Sequence, residues 1–301
     1  MANPAYELPP RIPGIRFDRI AGRGGMAVIW HGWHSELRRP VAVKVLDPGF
    51  SASGQDVRQF MAEVRTMQAL NHPGLVRGYD ADCIDGRYYM VMEYVEGDTL
   101  GSYLEGGSVV SQSDAVVLCQ SVADAMHYAW TNFRLVHCDL KPENLMVDNE
   151  GTVKVLDLGL CQSTAAIRGP GNSDEILGSP AYISPEQVVG EERLDCRVDI
   201  YSLGATLYHL VTGHTLFPPD LTNDETIRAH LDPCQQAPDP RRYTPTLATG
   251  FVRLLAGMLV KDRAWRYPGW DAVSRAFSVF EQGGFIPPLP PEAVSTLAIE
   301  F

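Results

Sequence analysis

Leu135-Val136-His137-Cys138-Asp139-Leu140-Lys141-Pro142-Glu143-Asn144-Leu145-Met146, followed by Lys154-Val155-Leu156-Asp157-Leu158-Gly159, is the most informative stretch of this 301-residue chain. An aspartate, a lysine, an asparagine and a second aspartate fall within 19 residues, Asp139 to Asp157, on loops flanked by short apolar runs. Phosphoryl transfer calls for those residue types: a carboxylate to orient a hydroxyl, a cation for the phosphoryl oxygens and oxygen ligands for Mg2+. A solvated turn requires no such order.

Upstream, Ala21-Gly22-Arg23-Gly24-Gly25-Met26-Ala27-Val28-Ile29 lies between two strand-like runs. Glycines there let backbone N–H groups approach an anion, although G-x-G-x-x-A alone suits a hairpin turn equally well. The segment leads into a strand and not a helix, which excludes a Rossmann or P-loop anion site. Lys44 follows Val41-Ala42-Val43 on a β-rich run. A lysine pointing inward from such a strand needs an anionic partner, because burial without one costs several kcal/mol. Glu63, on the helix expected over residues 55–71, is the candidate; a surface lysine and a solvated glutamate form the plainer alternative.

Composition narrows the classes. Hydrophobic residues make up 45% and charged residues 21%, the balance of an ordinary globular domain. The 25 basic and 37 acidic residues give a formal net charge of -12, the wrong sign for a surface that tracks nucleic acid or anionic lipid. Only Lys44, Lys141, Lys154 and Lys261 are lysines; every other basic residue is arginine, which codon bias suffices to explain. Six cysteines without a C-x-x-C pair suggest a reducing compartment and neither zinc nor a disulfide framework. The start lacks a basic, apolar leader, and no run reaches the ~18 apolar residues of a membrane helix, so a cytoplasmic location is expected. The histidines show no metal spacing.

Residues 1–14, with four prolines, read as an extended leader that at most packs on the surface. Alternating and β-rich runs, one helical pattern and strands expected at 75–81 and 88–94 make a small β-rich lobe over 15–95. Helical patterns dominate from residue 96: Ser113 to Phe133, Cys196 to Thr212, Asp224 to Leu231, Thr246 to Leu259 and Trp270 to Glu281. The fold class is α+β, two lobes over 15–283. Residues 284–301 read as a proline-rich, polyproline-like linker, with a docking peptide as the alternative.

Taken together, the glycine loop, Val-Ala-Val-Lys44, Glu63, Met-Glu-Tyr-Val95, His-Cys-Asp139-Leu-Lys-Pro-Glu-Asn144, Asp157-Leu-Gly, Ser184-Pro-Glu186, Asp199-Ile-Tyr-Ser-Leu-Gly204 and Arg266-Tyr resemble the eukaryotic-type (Hanks-type) Ser/Thr protein kinases, bacterial branch. The resemblance covers Ile15 to about Glu281. It implies a two-lobed kinase fold and transfer of the γ-phosphoryl of Mg-ATP, with Mn2+ as a substitute metal, to a Ser/Thr hydroxyl of a protein. By the same resemblance Lys44 holds the α- and β-phosphates, positioned by Glu63. Asp139 orients the substrate hydroxyl, Lys141 neutralises the γ-phosphoryl, and Asn144 with Asp157 ligates the metal. Gly22, Gly24 and Gly25 cover the phosphates. Ala21, Ile29, Ala42 and Met146 enclose adenine, backbone groups of Glu93 and Val95 bond it, and Met92 guards the back of its pocket. Glu186 and Arg266 pair in the interior, and Asp199 anchors the catalytic loop. Nucleic-acid and membrane partners are not expected of this chain; a transient homodimer is.

Three positions depart from the family's usual text. Ala27 replaces a glycine and Leu158 a phenylalanine, and neither removes a catalytic group. Cys138 replaces an arginine that pairs with a phosphorylated activation-loop residue, which predicts a non-RD enzyme with weak dependence on such phosphorylation. Cys138 is then a small core residue or a redox-sensitive thiol. Ser163, Thr164 and Ser173 are acceptors or solvated hydroxyls, whereas Ser179 supports the catalytic loop. The alternatives are a pseudokinase that binds nucleotide or a partner without efficient transfer, and a small-molecule phosphotransferase, against which the Ser-Pro-Glu186 ending argues.

Overall fold

Strand alternation explains the first unit. This computed structural model describes residues 8–24, 27–47, 54–157 and 179–299, apart from the side chains of 55, 56, 59, 62 and 63. The chain divides after Glu96 into two compact units. In the first, β1 (Ile15–Arg23), β2 (Ala27–His34), β3 (Arg39–Leu46), β4 (Gly78–Ile84) and β5 (Arg87–Glu93) form an antiparallel sheet in the order β1-β2-β3-β5-β4. Val43 stands opposite Trp30 and Val91, and directly opposed residues share a face. Val41, Val43 and Val45 therefore join Trp30, Tyr89 and Val91 in one apolar cluster. Period two sends Ala42 and Lys44 to the other face.

Of the leader, residues 8–14 are described, and they pack into this unit through Ile12 instead of only lying on its surface. Ile12 is buried in the same cluster, its carbonyl accepts from the Ile15 amide, and Arg87 donates to the Leu8 carbonyl. Its side chain completes an apolar face that the strands alone leave open. Helix α1 (Gly54–Ala69) buries Phe60, Val64 and Met67 at helical spacing. The β4–β5 hairpin turns at Asp85-Gly86, both with positive φ (51° and 74°), the pattern of a type I′ turn. That turn moves β4 three residues past the strand expected at 75–81.

The second unit is mainly helical. A short sheet of β6 (Gly97–Thr99), β7 (Leu145–Asp148) and β8 (Val153–Val155) accompanies α2 (Leu100–Glu105), α3 (Gln112–Phe133), α4 (Pro185–Val188), α5 (Arg197–Thr212), α6 (Asn223–Leu231), α7 (Thr249–Met258) and α8 (Trp270–Glu281). Helix α5 is buried on all sides, the mark of a central core helix. Gly204 allows this packing, since a Cβ there would stand 3.0 Å from Met258 Cβ and Leu259 Cγ.

Residues 284–299 are not a linker. Ile286, Ala293, Ser295, Thr296 and Leu297 are buried, and the backbone pairs at Ala237–Leu297 and Val260–Ser295. The residues after the prolines pair through their backbone with Ala237 on one side and with Leu259 and Lys261 on the other.

Buried in the same region, His230 is pushed down to about 3, first by burial and then by the nearby Lys261 charge. The folded value lies below the ordinary one, so the stability that depends on a neutral His230 is complete above about pH 6.5 and is lost as pH falls toward 3. Urea midpoints of the native chain should therefore drop between pH 6.5 and 4, and those of His230→Gln should drop less. Equal slopes would contradict this.

Candidate active site

The catalytic loop is held from its backbone. Asp199, fully buried on α5, accepts the amides of His137 (2.7 Å) and Cys138 (2.8 Å) on its two carboxylate oxygens. Burial pushes its carboxyl up to about 6 against the opposing pull of His137 and the two amides. Gln187 Nε2 donates to the Cys138 carbonyl at 2.8 Å, and Thr206 to the Leu140 carbonyl at 3.2 Å. Cys138 has φ 66°, a left-handed conformation that costs a non-glycine residue about 1–3 kcal/mol. Its amide and carbonyl are thus pinned by separate helices.

His137 ties the two aspartate-bearing segments together. Its Nδ1 accepts the Asp139 amide at 3.2 Å, so Nε2 carries the proton and donates to the Leu156 carbonyl at 2.9 Å. The segments at 139 and 157 are thereby referred to one imidazole. Asn144 Nδ2 donates to the Asp139 carbonyl (2.8 Å) and to its Oδ2 (3.1 Å). Lys141 Nζ lies 2.8 Å from the same Oδ2 and 2.7 Å from Ser179 Oγ, while the Ser179 amide donates to Asp139 Oδ1 at 3.1 Å. Asp139 is nearly enclosed, with 11% of its side chain exposed. The result is a carboxylate of fixed orientation with an ammonium beside it, the requirement for directing a hydroxyl toward an electrophilic phosphorus.

A divalent cation fits the donor set. Asn144 commits its nitrogen to Asp139, which leaves Oδ1 as an oxygen accepting no hydrogen bond among the described residues. The Leu156 amide donates to the Asn144 carbonyl at 2.8 Å, bringing the next residue, Asp157, alongside; it is exposed and left-handed, with φ 47°. No cluster of three or more acidic, histidine or cysteine ligands occurs among the described residues. The other ligands of such an ion would be phosphate oxygens and water, as Mg2+ prefers.

Below the loop, Glu186 and Arg266 form a buried bidentate pair, at 2.7 and 3.1 Å. Arg266 also donates to the carbonyls of Val260, Arg197 and Lys261, so all five N–H donors are used, and it lies 4.9 Å from the Tyr201 ring centroid.

Residues 15–277 match the protein kinase domain family. The chain belongs to that family. It is 31% identical to the serine/threonine-protein kinase PrkC of Bacillus subtilis over 249 residues, covering 83% of this chain and 38% of PrkC. Against the serine/threonine-protein kinase PknA of Mycobacterium tuberculosis the identity is 32% over 284 residues, covering 91% of this chain and 63% of PknA. The kinase domain of M. tuberculosis PknI shares the fold, with a TM-score of 0.70 and 23% identity over 90% of this chain and 96% of that one. This kinase chain thus spans well under half of PrkC and less than two thirds of PknA.

In the first unit of the kinase, register places Ile29 opposite Lys44, and Ala42 opposite Met92, so these four share the face away from the apolar cluster. Gly22 pairs with Ile29, and a register shift beside it makes Ala21 the irregular residue. The Gly24 amide donates to the Ala27 carbonyl, the Glu93 amide donates to the Arg77 carbonyl, and Val95 is buried. In the second unit Met146 lies on β7 between Thr99 and Lys154. Gly25, the Glu63 side chain, Leu158, Ser163, Thr164 and Ser173 lie outside the described residues. Ser179 has the loop-supporting place expected of it. Gln187 and Thr206 were not foreseen; Ser184-Pro-Glu-Gln187 is a capping box, with Gln187 Oε1 accepting from the Ser184 amide, and that pattern was the available signal for Gln187.

Cys138 is buried and its thiol is raised well above the ordinary range, first by burial and then by Asp199. Its surroundings are those of a core residue, and a protonated, enclosed thiol is poorly reactive. Iodoacetamide at pH 7.5 should label the exposed Cys83 and Cys234 but spare Cys119, Cys138 and Cys196, as read by peptide mass spectrometry; rapid labelling of Cys138 would contradict its assigned place. Asp199→Asn turns an amide group toward two N–H donors. It should lower stability by about 3 kcal/mol, measured in urea, because a buried donor is left unpaired.

Proposed function

We propose that this chain transfers the γ-phosphoryl group of ATP to serine or threonine hydroxyls of protein substrates. The enclosed Asp139, fixed through both oxygens beside Lys141, is the observation that carries the proposal. In this reading the substrate hydroxyl approaches Asp139, which orients it and accepts its proton as the new oxygen–phosphorus bond forms and the bond from the γ-phosphorus to the β,γ-bridging oxygen breaks, with ADP as the leaving group. Lys141 balances the charge on the phosphoryl oxygens, and Lys44, supported by Glu63, steadies the other phosphates. Asn144 Oδ1 and the Asp157 carboxylate would hold Mg2+, or Mn2+ in its place. The ion, when bound, neutralises charge on the phosphates. Gly22, Gly24 and Gly25 would cover the phosphates, and Ala21, Ile29, Ala42, Met92, Glu93, Val95 and Met146 would accommodate adenine.

Activation is proposed to need little help from a phosphorylated loop. Cys138 carries no guanidinium to meet a phosphate, and its backbone is already held by Asp199 and Gln187. Ser/Thr preference follows from Lys141 in Asp-Leu-Lys-Pro-Glu-Asn144. A cytoplasmic location, where ATP is supplied and free thiols persist, and transient self-association belong to the same proposal; sedimentation across concentrations tests the latter. A nucleotide-binding but inert chain would be expected to lack one of Lys44, Glu63, Asp139, Asn144 or Asp157, and all are present.

With Mg2+ and labelled ATP, the purified chain should phosphorylate a generic Ser/Thr protein. Asp139→Asn should reduce the rate by about 100-fold or more, the scale of a general-base contribution. Wild-type transfer no faster than that of Asp139→Asn would sink the proposal.

A further inference from the structure

We propose that the segment Ala293–Ala298, which lies beyond the residues matching the kinase family, is a positioning element for catalysis acting through Thr296. Thr296 is fully buried and all its polar groups are engaged. Its amide donates to the Leu259 carbonyl (2.8 Å), its carbonyl accepts the Ala237 amide (2.7 Å), and its Oγ1 lies 2.9 Å from Tyr201 Oη. Tyr201 Oη is also 2.7 Å from His230 Nδ1, so the tyrosine hydroxyl links Thr296 to His230, accepting from one of them and donating to the other. The Tyr201 ring lies against Arg266, Arg266 holds Glu186, and the adjacent Gln187 donates to the carbonyl of Cys138, one residue before Asp139.

A second grip makes this more than adjacency. The carbonyls of Val260 and Lys261 accept from Arg266, while the same stretch binds the tail on its other side: the Lys261 amide donates to the Val294 carbonyl, and Val260 bridges Ser295. Ser295 Oγ further donates to the Ala256 carbonyl, and Gln236 Nε2 to the carbonyls of Ser295 and Leu297. Arg266 can use all five donors only if this stretch keeps its path, and the tail's bonds at Leu259, Val260 and Lys261 help to hold it there, beside the Lys261 ammonium's own contacts with the carbonyls of Ala229, Asp232 and Gln235. A solvent-exposed tail would have no such hold, and a stretch free to shift would release Glu186 and with it Gln187.

This inference rests on the kinase reading above. Its test compares turnover per ATP-binding molecule in Thr296→Val, Thr296→Ser and Gln236→Ala with the full wild-type chain, at temperatures where circular dichroism shows each folded. Thr296→Val should lower kcat by about threefold to tenfold, the worth of one buried hydrogen bond, with KM for ATP little changed. Thr296→Ser should restore it, and Gln236→Ala, which loosens the tail without touching Tyr201, should lower kcat in the same direction. A purely structural tail would reduce the folded fraction but leave turnover per binding molecule intact; unchanged turnover in Thr296→Val overturns the inference and leaves the proposed function standing. A wild-type chain without transfer overturns the function instead, and the inference is then decided by urea midpoints. Thr296→Val and Glu186→Gln should shift them non-additively, and additive shifts would overturn the coupling.

Discussion

A single buried carboxylate governs the geometry of the catalytic loop. Asp199 lies within the central helix, out of reach of water, and satisfies both its oxygens with consecutive amides, those of His137 and Cys138. Placing a charge there is costly, and the cost is offset only if the donors stay in place. The helix therefore cannot keep its carboxylate without the loop, nor the loop its left-handed residue without the helix. The left-handed turn at Cys138 is held within that mutual requirement, and His137, whose amide it also fixes, links the Asp139 amide to the Leu156 carbonyl through its ring.

The basic residues show how donor geometry divides the work. Arg266 presents a planar fork, and the interior supplies five acceptors in matching places. Lys261 does the opposite: its ammonium points three donors at the carbonyls of Ala229, Asp232 and Gln235, closing the end of α6, and burial lowers it to about 8. Lys141 sits between Asp139 and Ser179, where a compact charge fits. Two of the four lysines in an arginine-rich chain, Lys141 and Lys261, thus occupy places where an ammonium is the suited group. Geometry explains why lysine stands at these two positions.

Much of this was legible in the sequence for a physical reason. Phosphoryl transfer asks for particular residue types in a particular order, so the proposed site residues Asp139, Lys141, Asn144 and Asp157 stood out in the sequence, and the helices from Ser113 onward showed their apolar period. The Glu186–Arg266 pair could be expected only from the family resemblance, and the structure shows it. Thr296, Thr206 and Ile12 were illegible: a threonine or isoleucine signals nothing until the fold brings a tyrosine, a carbonyl or an open apolar face to it. Residues 284–299 misled because proline content speaks for local conformation and not for the surface the chain packs against. The β4 boundary was missed although Asp85-Gly86 marked the hairpin.

Amide hydrogen exchange in the intact chain tests the role of Asp199 most directly. If the buried carboxylate holds the loop, the amides of His137 and Cys138 exchange only with the slowest amides of α5, through opening of the whole helical unit. Exchange of those two amides through local opening, while α5 remains protected, would contradict the account.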